Sequence, residues 1–415
     1  MIKLLAFCDD PSVFTGFGRV TDHVLKPLAD SGEYEIILCA LNYSGDMRDP
    51  DRYPYWYFAP YLSEPASLYG THRINELVAR VEPDVVWLFN DLPIIASYYD
   101  AAAEALGSVP VVTYSPIDGD PFPTRYLDGI RYADIPIVYT EYGKRVITEM
   151  DEALGKRVEV IPHGHDPEEF YPFADTKAAS KAICAEKMRT YEPSLFIVLR
   201  VDKNQARKRW DSTIRVFSRF AEDKPDVKLW MHTQFVREAG YDIPALCEIY
   251  GIAEKVLNSG LSKDKAGVSV QALNAIYNAC DVHLSTTAGG GWELSTHEAK
   301  AAGTPTIITD YAAMSEVGRE GGYLIPCTGH YISIGNSVGR GEIDEDLAVS
   351  ALDMLYYNHE LREQTRRDAL RWAKGASWGA QRVAERFDQA FRRAIEAHGA
   401  GIILEDEYAG AEVAT

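Results

Sequence analysis

The stretch from Ser285 to Glu316, with the strand-like run that opens it, limits what this chain can fold into more than any other. A short apolar run, Val282-His283-Leu284, breaks at three consecutive glycines, Gly289 to Gly291. A helix follows, with Ser295 or Thr296 able to cap it and His297-Glu298-Ala299-Lys300 in its first turns. Gly303 ends the helix, and Pro305 leads into Thr306-Ile307-Ile308. Strand, glycine loop, helix, strand is one βαβ unit. Its loop leaves backbone N–H groups free at a helix N-terminus, where an anion such as phosphate is favoured. A glycine turn before a helix can also serve tight packing alone. Glu298 sharpens the reading, because a carboxylate in the first turn can accept hydrogen bonds from a ribose diol beside that phosphate.

The same alternation runs through the rest of the chain. Strands are expected at 2–8, 34–40, 84–89, 109–114 and 135–139, with helices at 19–31, 72–81, 94–106, 124–132 and 142–150. A segment rich in proline and glycine, Ile161-Pro162-His163-Gly164-His165-Asp166-Pro167 followed by Tyr171-Pro172, reads as a linker. A second series follows, with strands at 195–200, 227–232, 255–259, 281–284 and 305–309 and helices at 210–221, 243–250, 268–278 and 295–302. The 415 residues suffice for two domains of about 150 to 200 residues each. The fold class expected is α/β, two Rossmann-like domains facing a central cleft, with ligands at the carboxyl ends of the strands. The division expected is 1–170, 171–376, a last helix at 377–398 and a disordered acidic tail at 399–415.

Composition narrows the function. No apolar run approaches the roughly 18 residues of a membrane span, and residues 1–7 read as a first buried strand rather than a signal peptide. Six scattered cysteines without a CxxC pair, and no clustered histidines, argue against a disulfide framework or a metal site and for a cytoplasmic protein. A net charge of −20 makes nucleic acid an unsuitable partner and disfavours an anionic membrane.

Several residues could carry chemistry. The first expected strand leads into Thr15-Gly16-Phe17-Gly18-Arg19, part of a dinucleotide fingerprint whose later acidic residue is replaced by Cys39-Ala40-Leu41-Asn42. NAD binding is therefore disfavoured. A backbone approach to phosphate or sugar, and a plain tight turn, both remain open. Beyond strand 195–200 stand Arg200, Lys203, Arg207, Lys208 and Arg209, an electrostatic socket suited to a leaving diphosphate. An exposed basic loop is the bland alternative. Asn90-Asp91 and Asp118 follow strand ends in the first half, and Asp118 is the nearest polar candidate for the reacting centre. His163 and His165 suit hinge packing better than base catalysis. The aromatic run Tyr53 to Tyr61 could stack on sugar rings, although packing explains it more simply.

Four blocks in order resemble the retaining glycosyltransferases of glycosyltransferase family 4, which have the GT-B fold. They are T-G-F-G-R-V (15–20), I-P-H-G-H-D-P-E-E-F-Y-P (161–172), L-R-V-D-K-N-Q-A-R-K-R-W-D (199–211) and G-W-E-L-S-T-H-E-A-K-A-A-G-T-P (291–305). Residues 377–387 resemble the family's final helix, which crosses back to the N-terminal domain. The resemblance implies a metal-independent hexosyl- or pentosyltransferase with no cofactor, its UDP- or GDP-sugar donor being a co-substrate. It implies that Arg200 and Lys208 hold the diphosphate, and that Gly16, Phe17 and Gly18 form the loop on the phosphate side. It likewise implies that Leu294, Ser295 and Thr296 form the phosphate loop, that Gly291 and Trp292 beside it also bind the donor, and that Leu261 holds the base and Glu298 the ribose. The family's E-x7-E signature would place a sugar-binding glutamate at 290, where this chain has Gly290; Glu293 is the candidate substitute. The acceptor expected is a glycan, small molecule or protein. A lapsed sugar-nucleotide-binding protein and a transferase for modified DNA are the rival readings. A nucleotide-sugar epimerase or dehydrogenase lacks its motifs.

Overall fold

A computed structural model describes residues 1–43, 48–60, 68–236, 240–261, 267–375 and 379–399. The first half forms a seven-stranded sheet from β1 (Ile2–Asp9), β2 (Tyr34–Leu41), β3 (Trp56–Phe58), β4 (Val85–Phe89), β5 (Val111–Ser115), β6 (Ile135–Val138) and β7 (Glu159–Val160). Its strand order is β3-β2-β1-β4-β5-β6-β7, with every pairing parallel. The second half holds β8 (Phe196–Val201), β9 (Val227–His232), β10 (Val256–Asn258), β11 (Val282–Ser285), β12 (Thr306–Thr309) and β13 (Gly322–Ile325), in the order β10-β9-β8-β11-β12-β13. The two sheets thus repeat one order. A two-stranded antiparallel hairpin, β14 (Cys327–Ile332) with β15 (Gly339–Ile343), stands apart from both.

The strands are apolar because helices cover both faces of each sheet, and parallel strands buried on both sides read as continuous runs rather than alternations. β1 and β4 are almost wholly buried, as are β8 and β11. The chain order reverses between β1 and β4 and again between β8 and β11. These are the switch points at which open α/β sheets leave a crevice for ligands.

The helix Ala380–Gly399 returns to the first half. Its Val383, Ala384, Phe387, Ala390, Phe391 and Ala394 are buried in one cluster with Leu4, Val24, Trp87 and Tyr114. The Phe387 ring lies 5.4 Å from Trp87 and 4.9 Å from Tyr114. The bridge between His165 and Gly379 sets the two crossing segments side by side. Residues 377, 378 and 400–415, which include most of the expected tail, lie outside the described residues, as do Tyr61 and the segment 262–266 that follows Leu261. Among the described residues no helix is long and apolar enough to cross a membrane.

Candidate active site

The two switch points face each other across a cleft of about 760 Å³. From the first half it is lined by Asp9 at the end of β1, Gly16 and Phe17 at the start of the next helix, Asp91 after β4, Asp118 after β5, and Tyr139 and His163. The second half supplies Asp202, Lys203, Arg207 and Lys208 after β8, Leu261, and the run Gly290 to Ser295 with Glu298.

Two loops of the second half are stitched into one surface. Ala288 N–H donates to the Arg207 carbonyl at 2.8 Å, and Arg207 Nη1 donates to the Gly289 carbonyl at 2.8 Å. The Thr286 hydroxyl donates to the Arg209 carbonyl at 2.8 Å. The basic segment and the glycine loop therefore hold each other in place, with Arg207 and Lys208 on the cleft side. Lys208 Nζ stands 2.5 Å from Glu293 Oε1 and 3.0 Å from Asp202 Oδ1. Burial alone would raise the Asp202 carboxyl, but Lys208, Arg200 and Arg207 overcome it and hold it below the usual range.

Arg200 is a correction to the sequence reading. It is fully buried and absent from the cleft wall. Its Nη2 donates to Asp202 Oδ2 at 2.7 Å, the Lys208 carbonyl at 3.0 Å and Thr287 Oγ1 at 2.8 Å. It braces the socket from behind, and Arg207 takes the place beside Lys208 at the surface. β8 runs to Val201, so position 200 still points into the sheet's covering layer.

Gly18 and Thr296 also stand off the cleft. A Cβ at Gly18 would lie 2.8 Å from the carbonyl oxygens of Asp10 and Val13, so this glycine serves close packing of the helix Gly16–Asp30. Thr296 is fully buried, and its N–H donates to the Glu293 carbonyl at 3.0 Å. Gly16 does face the cleft, and a Cβ there would meet Leu294 Cδ1 of the opposite half at 3.3 Å.

Glu293 precedes the helix Leu294–Ala301 with φ of 71°, a left-handed conformation that few side chains adopt. A Cβ at Gly290 would lie 2.4 Å from Glu293 Oε1. The Glu293 carboxylate therefore fills the space that a side chain at 290 would need. Glu298 is buried, with Oε2 accepting from the Tyr277 hydroxyl at 2.8 Å and Oε1 paired with Arg19 at 2.9 Å. Burial raises its carboxyl, and Arg19 opposes the rise.

The opposite wall is acidic. Asp9 accepts from the Thr15 hydroxyl at 2.6 Å and from Asn42 at 3.1 Å, and burial raises its carboxyl. Asp91 is exposed on the cleft yet lies deep between the halves; that crowding, and then Asp118, push its carboxyl up to about 6. His163 sits against the Tyr114 hydroxyl at 2.8 Å, and burial lowers its imidazole to about 3, so it is neutral. Asp9 and Asp202 were missed in the sequence as site residues, while Arg207 was read only as one member of the basic socket. Their common signal is a polar residue within a few positions of a strand's carboxyl end. Among the described residues no group of three or more His, Cys, Asp or Glu could hold a metal.

No family model matches the chain. Mannosylfructose-phosphate synthase of Agrobacterium fabrum is 26% identical over 188 residues, which is 44% of this chain and 39% of that protein. The match thus spans about two fifths of that relative's length. Among solved structures, sucrose-phosphate synthase from Thermosynechococcus elongatus aligns with a TM-score of 0.75 at 14% identity, over 96% of this chain and 100% of that one. A glycosyltransferase from Rickettsia africae ESF-5 gives 0.70 at 14% identity, over 95% and 99%. Anabaena HepE in complex with UDP-glucose gives 0.68 at 13% identity, over 95% and 100%. Two parallel sheets with helices, and the likeness to those structures over nearly the whole chain, give the chain the GT-B fold.

Proposed function

We propose that the chain is a retaining glycosyltransferase, which moves a sugar from a UDP- or GDP-sugar to an acceptor hydroxyl. The observation that carries this reading is the polarity of the cleft: Arg207, Lys208 and the glycine loop on one wall, Asp9, Asp91 and Asp118 on the other. In the transfer, the bond from the sugar's anomeric carbon to the donor phosphate breaks, and a bond to the acceptor oxygen forms on the same face. The departing phosphate oxygen takes the acceptor proton. Charge develops on the diphosphate, where Arg207, Lys208 and the amides of Leu294 and Ser295 stand to stabilise it. This reading requires no metal or cofactor, and it suits a protein of the cytoplasm.

On this reading each part of the donor has a residue assigned to it. Glu298 would accept from the ribose diol, with Leu261 beside the base. Glu293, occupying the space over Gly290, would take the sugar hydroxyls that a glutamate at 290 would otherwise hold. That substitution removes the main reason for reading the chain as a lapsed enzyme. HepE was solved with UDP-glucose, which makes that donor the first to try.

The acceptor wall argues for an uncharged, hydroxyl-bearing acceptor. Carboxylates accept hydrogen bonds from sugar hydroxyls, whereas a phosphorylated acceptor or a DNA backbone would bring more negative charge against Asp9, Asp91 and Asp118. The test is to incubate the protein with UDP-glucose or GDP-mannose, with and without neutral sugars, and follow the donor by mass spectrometry. Slow donor hydrolysis, and transfer to a neutral sugar with the anomeric configuration kept, is the expected result. A donor that binds and is never consumed would sink the reading.

A further inference from the structure

The hairpin β14–β15 belongs to the second half, yet three consecutive residues of β15 join the loops on either side of the cleft. Gly339 N–H donates to the Pro121 carbonyl at 2.7 Å, and Gly341 N–H donates to the Ala288 carbonyl at 2.8 Å. Between them Arg340, 1% exposed, donates from Nη1 to the Asp118 carbonyl at 2.7 Å and lies 3.2 Å from Asp118 Oδ2. A Cβ at Gly289 would lie 2.6 Å from that same Nη1, so the guanidinium passes directly against the glycine loop. Both flanking glycines are needed. A Cβ at 339 would lie 2.1 Å from the Asp120 carbonyl oxygen, and one at 341 would lie 2.5 Å from Cys327 Sγ. Tyr311 adds to the seam, its hydroxyl donating to the Asp120 carbonyl at 2.8 Å, and Tyr126 donates back to the Asn336 carbonyl at 2.9 Å.

A guanidinium removed from water is held only where its partners repay the desolvation. Here the partners are the carbonyl and carboxylate of one aspartate on the opposite half. The Asp118 side chain keeps 28% exposure on the cleft, so the brace leaves its carboxylate open to a ligand. We infer that Arg340 is a positioning residue for the transfer reaction: it fixes Asp118 and couples the acceptor-side loop 116–122 to the glycine loop 288–291. The two walls of the reacting centre are then set against each other by a strap, not by the hinge alone. This rests on the glycosyltransferase reading. The charges facing Asp91 are Asp118 and Asp9 of its own half, with Arg207 and Arg340 opposite, and the Tyr139 phenol lies nearby. Removing Arg340 takes away one of the two cations that hold the Asp91 carboxyl down, so an acid limb governed by Asp91 moves to higher pH.

The test compares wild type, Arg340→Met and Arg340→Lys, with thermal unfolding to check folding and amide hydrogen exchange to follow 116–122. In Arg340→Met, exchange over 116–122 should rise roughly tenfold, the scale of losing a charge-assisted hydrogen bond. Its kcat should fall roughly 100-fold with little change in donor KM, and the acid limb should move up. Arg340→Lys, which keeps the charge but not the fork, should restore the acid limb and only part of kcat. Unchanged exchange in both variants overturns the inference, whether or not any donor is consumed. So does faster exchange with an unmoved acid limb. If wild type consumes no donor while exchange in the variants rises, the transferase reading falls and the coupling of the two loops is upheld.

Discussion

Arg19 Nη1 lies 2.9 Å from Glu298 Oε1, although 279 positions separate the two residues. The contact ties the first helix of one half to the carboxylate proposed to hold the ribose in the other. Burial raises the Glu298 carboxyl, and the Arg19 charge is the largest effect against that rise. Arg19→Met should therefore raise it further, so that nucleotide binding weakens as pH falls. Titration calorimetry with UDP at pH 8 and pH 5.5 checks this: affinity should drop more between the two in Arg19→Met than in wild type. Glu298→Ala should lose roughly tenfold or more at both pH values, as one charge-assisted hydrogen bond disappears.

Glu293 and Gly290 compete for one volume. Gly290→Glu alone places its Cβ 2.4 Å from Glu293 Oε1, so the Glu293 carboxylate must turn away from Lys208 and donor turnover should fall. Adding Glu293→Gly removes both the clash and the cost of the left-handed conformation at 293, about 1 kcal/mol in a non-glycine residue. The double variant should recover at least about tenfold in kcat/KM over Gly290→Glu and unfold at a higher temperature than it. Equal activity in the two would show that the swap idea is wrong.

Arg207 and Arg200 should fail in different ways. Arg207→Ala and Lys208→Ala remove charges from the cleft and should each lose more than about 100-fold in rate. Arg207→Ala should change the melting temperature little, whereas Lys208→Ala should lower it by leaving the buried Glu293 carboxylate unpaired. Arg200→Ala removes buried hydrogen bonds to Asp202, Thr287 and the Lys208 carbonyl and should destabilise the fold by about 3 kcal/mol. Turnover and thermal melts on the three variants separate the roles.

His283 is fully buried on β11, and neither ring nitrogen has a hydrogen-bond partner among the described residues. Burial lowers its imidazole to about 3, against roughly 6.5 in the unfolded chain. Between those values only the unfolded chain binds the proton, so this contribution to stability is complete above 6.5 and is lost as pH falls toward 3. His283→Leu should gain about 1 kcal/mol at pH 7 from removing unsatisfied polar atoms. At pH 5 the advantage over wild type should be roughly 2 kcal/mol larger. Urea melts at the two pH values decide it; a constant difference would refute the assignment.

The strands were legible because each is an apolar run bounded by turn residues, and both sheets contain every strand expected from the sequence. Glu298, Lys208 and the glycine loop were legible because they lie at strand and helix ends, where chemistry and local pattern coincide. Arg200 misled because a basic residue at a strand end looks the same in sequence whether it faces the cleft or the covering layer. β14 and β15 carried no signal: every second residue of β14 is exposed, and few are apolar. Arg340 acts on a residue 222 positions away, a relation no local pattern contains. The short strands β3 and β7 were hidden for another reason, since edge strands of two or three residues show no period.

The final helix has a consequence for the order of events on the ribosome. Trp87 and Tyr114 emerge long before Phe387 and Phe391, yet all four share one apolar cluster. During synthesis the first of the two lobes must wait, with part of its interior wet, until residues 383–394 have left the exit tunnel. The later lobe, whose own clusters draw almost entirely on consecutive sequence, is free to finish first.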